Sequence, residues 1–124
     1  MAKILIAEDE RDIRDLIVFI LSFAGHQVTA TQNGEEACQK VFESMPDLIL
    51  LDIRMPGMSG YEVYRNVKAH QRTKDIPVAF LTAISQQNQS NTDIKLSAEE
   101  YIMKPFSPDE LTARVNAILS KNNK

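Results

Sequence analysis

The chain has 124 residues, with 14 Lys plus Arg against 17 Asp plus Glu and a net charge of -3. That balance supplies neither a basic footprint for nucleic acid nor a polybasic membrane patch, which argues against direct DNA binding by this chain and against a membrane role. A chain of this length fits one domain, taken here as residues 1–124, and can bury roughly two-thirds of its unfolded surface without metals or disulfides to hold it.

Cys38 is the single cysteine, so no internal disulfide and no thiolate cage can form; small core filler is its simplest role. The N-terminal apolar run, Ile4 to Ala7, is too short for a signal-peptide core or a membrane span. A cytoplasmic protein is the expectation.

Strand and helix signals then alternate. Lys3-Ile4-Leu5-Ile6-Ala7 reads as a strand and empties into Glu8-Asp9-Glu10. From Asp12, the positions Ile13, Leu16, Ile17, Ile20, Leu21 and Ala24 recur at helical spacing, and Gly25 supplies the stop. Gln27 to Thr31 predicts a second strand, and Asn33-Gly34 opens a helix with Ala37, Val41 and Phe42 on one side. After Met45-Pro46 comes Leu48-Ile49-Leu50-Leu51, a run without alternation that predicts a central strand covered on both faces. It stops on Asp52, just before Pro56, Gly57 and Gly60 break the pattern.

Ser59 is placed to cap a helix from Gly60 to Ala69, with Val63, Tyr64 and Val67 inward. Pro77 to Thr82 predicts a fourth strand. Residues 85–92 are the most polar stretch, a loop or a poorly anchored helix. Glu100 to Met103 predicts an edge strand, and Ser107-Pro108-Asp109-Glu110 carries a capping box with Pro at the first helical position. Leu111, Val115, Ile118 and Leu119 form the buried stripe of that last helix, and its Lys-rich end is solvated.

Five such repeats require right-handed crossovers and a parallel sheet with helices on both faces. All strand carboxyl ends then share one edge, where open α/β sheets bind ligands. Arriving there are Glu8, Asp9, Asp52, Thr82 and Lys104. Singly, each has an ordinary explanation: a turn-starting Asp, helix-dipole partners, a turn hydroxyl, a surface cation. Together they make chemistry. Three carboxylates at one point repel one another unless a cation neutralises them, and an oxygen-only cluster suits Mg²⁺. With that screening, Asp52 can act as a nucleophile toward phosphorus, Lys104 as the counter-cation and Thr82 as the hydroxyl for phosphoryl oxygens.

Glu8-Asp9, Asp52 with Met55-Pro56-Gly57-Met58-Ser59-Gly60, Leu81-Thr82-Ala83, and Tyr101 ahead of Lys104-Pro105-Phe106 resemble the receiver domain of two-component response regulators. The likeness runs from about Lys3 to about Leu119. It implies the flavodoxin-like (βα)5 fold, a doubly wound five-stranded parallel sheet in the order 2-1-3-4-5. It also implies Mg²⁺-dependent phosphoryl transfer to Asp52 from a sensor histidine kinase or a histidine phosphotransfer protein, followed by slow hydrolysis. Such a chain is a phosphoacceptor signalling domain rather than an enzyme acting on a separate substrate.

By the same resemblance, Glu8, Asp9, Asp52 and the backbone carbonyl of Arg54 hold the metal, Thr82 and Tyr101 form a switch pair, and the Lys104-Pro105 bond is cis. The face made by the last two helices and the fifth strand is then the surface that an output partner reads, and a phosphorylation-dependent dimer through it is one form the output could take. Arg54 and Ile84, two residues beyond Asp52 and Thr82, are placed to set the lifetime of the phosphorylated state, expected to be long because neither orients water well. Two positions depart from the commonest pattern: Glu8 where Asp is frequent, and Ser97 where Gly is frequent. A Mg²⁺-dependent phosphohydrolase of the haloacid-dehalogenase type is the alternative, although it would want an Asp where Arg54 stands. An unphosphorylated pseudo-receiver is a third.

Overall fold

A computed structural model describes residues 2–83 and 100–122. Ile84, Ser97 and the polar segment, on which three of the expectations rest, lie outside the described residues. Five strands, β1 (Lys3–Ala7), β2 (Gln27–Thr31), β3 (Leu48–Asp52), β4 (Val78–Ala83) and β5 (Glu100–Lys104), pair in parallel in the order β2-β1-β3-β4-β5. Four helices are described: α1 (Arg11–Phe23), α2 (Gly34–Ser44), α3 (Gly60–Ala69) and α4 (Pro108–Asn122). None of them is long and apolar enough to cross a membrane.

Strand alternation sorts the core into two layers, because successive side chains point to opposite faces. Ile4 and Ile6 of β1, Leu48 and Leu50 of β3, Ala79 and Leu81 of β4 and Ile102 of β5 pack against Ile17, Ile20 and Leu21 of α1 and Leu111, Val115 and Ile118 of α4. The alternate positions Leu5, Ala7, Ile49, Leu51, Val78 and Phe80 pack against Ala37 and Val41 of α2 and Val63, Tyr64 and Val67 of α3. Every β3 residue is buried, which is why that strand carries no polar alternation.

The helix ends follow local chemistry. α1 closes in a Schellman arrangement: Gly25 has φ +98, its N–H bonds Ser22 O, and the His26 N–H bonds Leu21 O. α2 is capped by Asn33 Oδ1, which accepts the Glu36 N–H at 2.8 Å. α3 and α4 both begin with reciprocal capping boxes, Ser59 with Glu62 and Ser107 with Glu110.

Of the apolar positions at helical spacing around α1, Ile17, Ile20 and Leu21 are buried and Ile13 is partly buried, whereas Leu16, 45% exposed, and Ala24, just past the helix, face solvent. The apolar arc of α1 is wider than the sheet can cover, and its surplus runs through Leu16, Phe19 and Phe23 into solvent, with the two Phe rings stacked at 6.3 Å.

Candidate functional site

The edge expected to carry the chemistry is assembled from β1, β3 and β5. β3 delivers Asp52 at its last position, and Asp52 is 3% exposed. Glu8 follows Ala7 out of β1 and is completely buried, while Asp9 is the accessible member of the group. Oxygens of the three carboxylates lie within 4.8 Å of one another.

Lys104, at the end of β5, reaches across β4 to this group. Its Nζ stands 2.9 Å from Glu8 Oε1 and 3.4 Å from Asp52 Oδ1. Burial alone would lower the Lys104 pKa, but the Glu8 and Asp52 carboxylates beside it outweigh that cost and the net shift is upward. Asp52 moves the other way from an ordinary paired carboxylate. Burial, then the neighbouring Glu8 charge, push its pKa up to about 7, and Lys104 offsets only part of this. A second cation at this point would therefore stabilise the ionised Asp52.

The residues fit a hard divalent cation on two observations. The group offers only carboxylate oxygens, without His or Cys. Glu8 Oε1 is buried and meets the ammonium as an ion pair without an aligned hydrogen bond, so one acceptor site is left to be satisfied.

The loops are fixed by contacts that the sequence did not announce. Arg14, one turn into α1, donates Nη1 to Glu8 O at 3.0 Å and to Asp9 O at 3.5 Å, tying the β1–α1 loop to its helix. Gly60 lies so close to Asp52 that a Cβ there would collide with the Asp52 carbonyl oxygen and press on Ile53 Cα, and the Gly60 N–H bonds Ile53 O at 3.0 Å. Gly34 allows the same intimacy at the other end of the loop, where its missing Cβ would sit 2.7 Å from Met58 O. The Gly pattern around Asp52 marked a turn; the close approach it permits needed the α3 and α2 positions to be seen.

The remaining expected residues are placed as follows. Thr82 lies in β4, two residues past Phe80 and in register with Met103; its hydroxyl is outside the described atoms. The Lys104-Pro105 bond is cis, as expected. Arg54 is exposed on the β3–α3 loop, and the nearby Glu8 carboxylate is paired with Lys104. Tyr101 lies in the edge strand β5, yet its hydroxyl is buried. Its ring packs 5.5 Å from Phe80, and its buried Oη has no hydrogen-bond partner among the described residues. Burial, with Tyr61 and Tyr64 nearby, raises its pKa to about 12.

A family model described as the response regulator receiver domain matches residues 4–116. Among curated proteins, the phosphate regulon transcriptional regulatory protein PhoB of Pseudomonas aeruginosa is 41% identical over 118 residues, covering 95% of this chain and 52% of that protein. Response regulator SaeR of Staphylococcus epidermidis is 41% identical over 124 residues, covering 100% of this chain and 53% of that one. The chain thus spans about half the length of the curated relatives it matches. Among solved structures, the chemotaxis protein CheY4 of Vibrio cholerae superposes with a TM-score of 0.87 at 29% identity, covering 95% of this chain and 98% of that one.

Proposed function

The chain belongs to the response regulator receiver domain family, and from that premise we propose that it takes a phosphoryl group onto Asp52 from a histidine kinase or a histidine phosphotransfer protein and passes the change to an output partner. The observation that carries this reading is the buried Asp52 carboxylate at the end of β3, set among Glu8, Asp9 and Lys104. An Asp52 oxygen attacks phosphorus, the bond from phosphorus to the donor breaks, and an acyl phosphate remains. The Lys104 ammonium is within reach of the charge that develops on the phosphoryl oxygens. Glu8, Asp9, Asp52 and the backbone carbonyl of Arg54 would hold Mg²⁺. Bound there, Mg²⁺ supplies positive charge that lets carboxylate and phosphoryl oxygens approach one another.

Thr82 and Tyr101 form the switch pair in this proposal, and the surface around β5 and α4 carries the readout to a protein partner or to a second copy of the chain. Arg54 and Ile84 set the lifetime of the acyl phosphate. Residues 1–124 act as one receiver domain in the cytoplasm, without touching nucleic acid themselves.

The test is incubation with Mg²⁺ and acetyl phosphate, read by intact mass. One hydroxylamine-labile phosphoryl group is expected on the parent, and none on Asp52→Asn or in the presence of a chelator. Equal labelling of Asp52→Asn would remove Asp52 from the mechanism.

A further inference from the structure

The β1–α1 loop carries two of the three carboxylates, and the helix after it starts differently from the others. Asn33, Ser59 and Ser107 cap α2, α3 and α4 with their side chains, whereas Glu10, the N-cap of α1, makes no such bond. Arg14 ties the loop from within the helix instead. Its N–H bonds Glu10 O at 2.9 Å, and its Nη1 turns back to donate to Glu8 O at 3.0 Å and to Asp9 O at 3.5 Å. A single amino group thereby spans the main chain of both acidic residues. The loop is tied on its other side as well: the Glu8 N–H bonds Thr31 O at 3.1 Å, and Glu8 Oε2 accepts the Glu10 N–H at 3.2 Å. Arg11, the other arginine of the first turn, is exposed and pairs with Asp15 at 3.7 Å. Lys104 thus serves the carboxylate oxygens, and Arg14 serves the main chain that bears them.

A carboxylate carried on a fixed main chain loses little freedom when a cation arrives, whereas one on a free loop must be ordered at that moment. Asp9 needs this most, because it is the accessible member of the group. We propose that Arg14 is a positioning residue for the metal-binding carboxylates: its grip on the Glu8 and Asp9 carbonyls holds the acidic loop in the shape that takes the divalent cation. Charge alone would give Arg14 the opposite effect, since a guanidinium beside a cation site repels the ion. Removing Arg14 therefore weakens cation binding if it positions the loop and strengthens it if it acts only as a charge. The inference rests on the metal role proposed above for Glu8 and Asp9 and adds a residue that acts through their main chain.

The experiment titrates MgCl₂ into ¹⁵N-labelled chain without phosphodonor, and the Asp9 and Asp52 amide signals give the affinity of the folded protein. Arg14→Met, which keeps the stem but neither the charge nor the donor, should bind Mg²⁺ roughly tenfold more weakly than the parent, and its Asp9 amide should be more mobile in chelator. Arg14→Lys keeps the charge on an arm one bond shorter, without the planar group that fixes Nη1, and should fall between the two; it carries the test if Arg14→Met does not fold. A tie that served stability alone would lower the urea midpoint and leave the Mg²⁺ affinity of the folded chain in place. Affinity equal to the parent's in every variant that folds overturns the proposal, and tighter binding by Arg14→Met overturns it in favour of simple repulsion. If the parent binds no Mg²⁺ at all, positioning role and metal site fail together. If the parent binds Mg²⁺ and acetyl phosphate labels Asp52 while the variants bind Mg²⁺ equally well, only the positioning role fails.

Discussion

The two faces of the sheet are built from different materials. Against α1 and α4 the fully buried side chains are all aliphatic, with Ile4, Ile6, Leu48, Leu50, Leu81 and Ile102 from the strands. Against α2 and α3 it holds Phe80, ringed by Tyr61 at 5.2 Å, Tyr64 at 5.5 Å and Tyr101 at 5.5 Å, with Met55, Met58 and Cys38 alongside. The charges keep the parity of the first face: Glu8 is in step with Ile4 and Ile6, Asp52 with Leu48 and Leu50, Lys104 with Ile102. Tyr101 belongs to the second. The difference teaches that branched aliphatic packing, which tolerates little rearrangement, anchors the chemistry, whereas flat rings and flexible thioethers, which can repack, surround the proposed readout.

The largest expected effect breaks the aliphatic face. Leu50→Ala should lower stability by about 3–4 kcal/mol, whereas Phe80→Leu on the aromatic face should cost only about 1 kcal/mol, because neighbouring rings can close on the smaller side chain. Urea unfolding measures both, and equal costs would remove the contrast in rigidity.

A smaller effect sharpens the account of the charged end. Asp52 binds its proton more tightly folded than unfolded, its pKa rising from 3.8 to about 7. A raised folded pKa contributes stability that is full below the unfolded value and lost as pH climbs through the folded one. In chelator, Asp52→Asn should therefore be more stable than the parent at about pH 8, by about 2 kcal/mol once the Lys104 charge is allowed for, and the gap should shrink toward about pH 5. A gap that does not depend on pH would show that the folded protein does not favour the protonated carboxyl.

The smallest effect lies at Tyr101. Its buried hydroxyl has no partner among the described residues, so Tyr101→Phe should be neutral or stabilising by up to about 1 kcal/mol. Spectrophotometric titration of that variant should lose the phenol that ionises at about 12. A clear loss of stability would mean that the hydroxyl is bonded.

Much of this was legible because it is local. Ser59 and Ser107 announce helix starts, Gly25 a helix end, and the unbroken Leu48 to Leu51 run a strand covered on both sides. The convergence of Glu8, Asp9, Asp52 and Lys104 followed from topology, since parallel strands deliver their carboxyl ends to one edge. What was not legible is non-local. Whether Lys104 prefers Glu8 or Asp52 depends on reach across two intervening strands, and the close approach of Gly60 to the Asp52 carbonyl depends on how α3 docks. The periodicity of α1 showed a stripe but not how much of it the sheet could cover, and Leu16 lies beyond the covered part.

The central claim is that a change made at the end of the aliphatic face is read on the aromatic one. Beryllofluoride with Mg²⁺ stands in for the phosphoryl group on Asp52, and NMR of ring and methyl signals follows both faces in one sample. The account predicts large shifts for the rings of Tyr101 and Phe80, with the methyls of Ile6, Ile20, Leu50 and Ile118 nearly still. Movement of those methyls while the Tyr101 and Phe80 rings stay in place would contradict it.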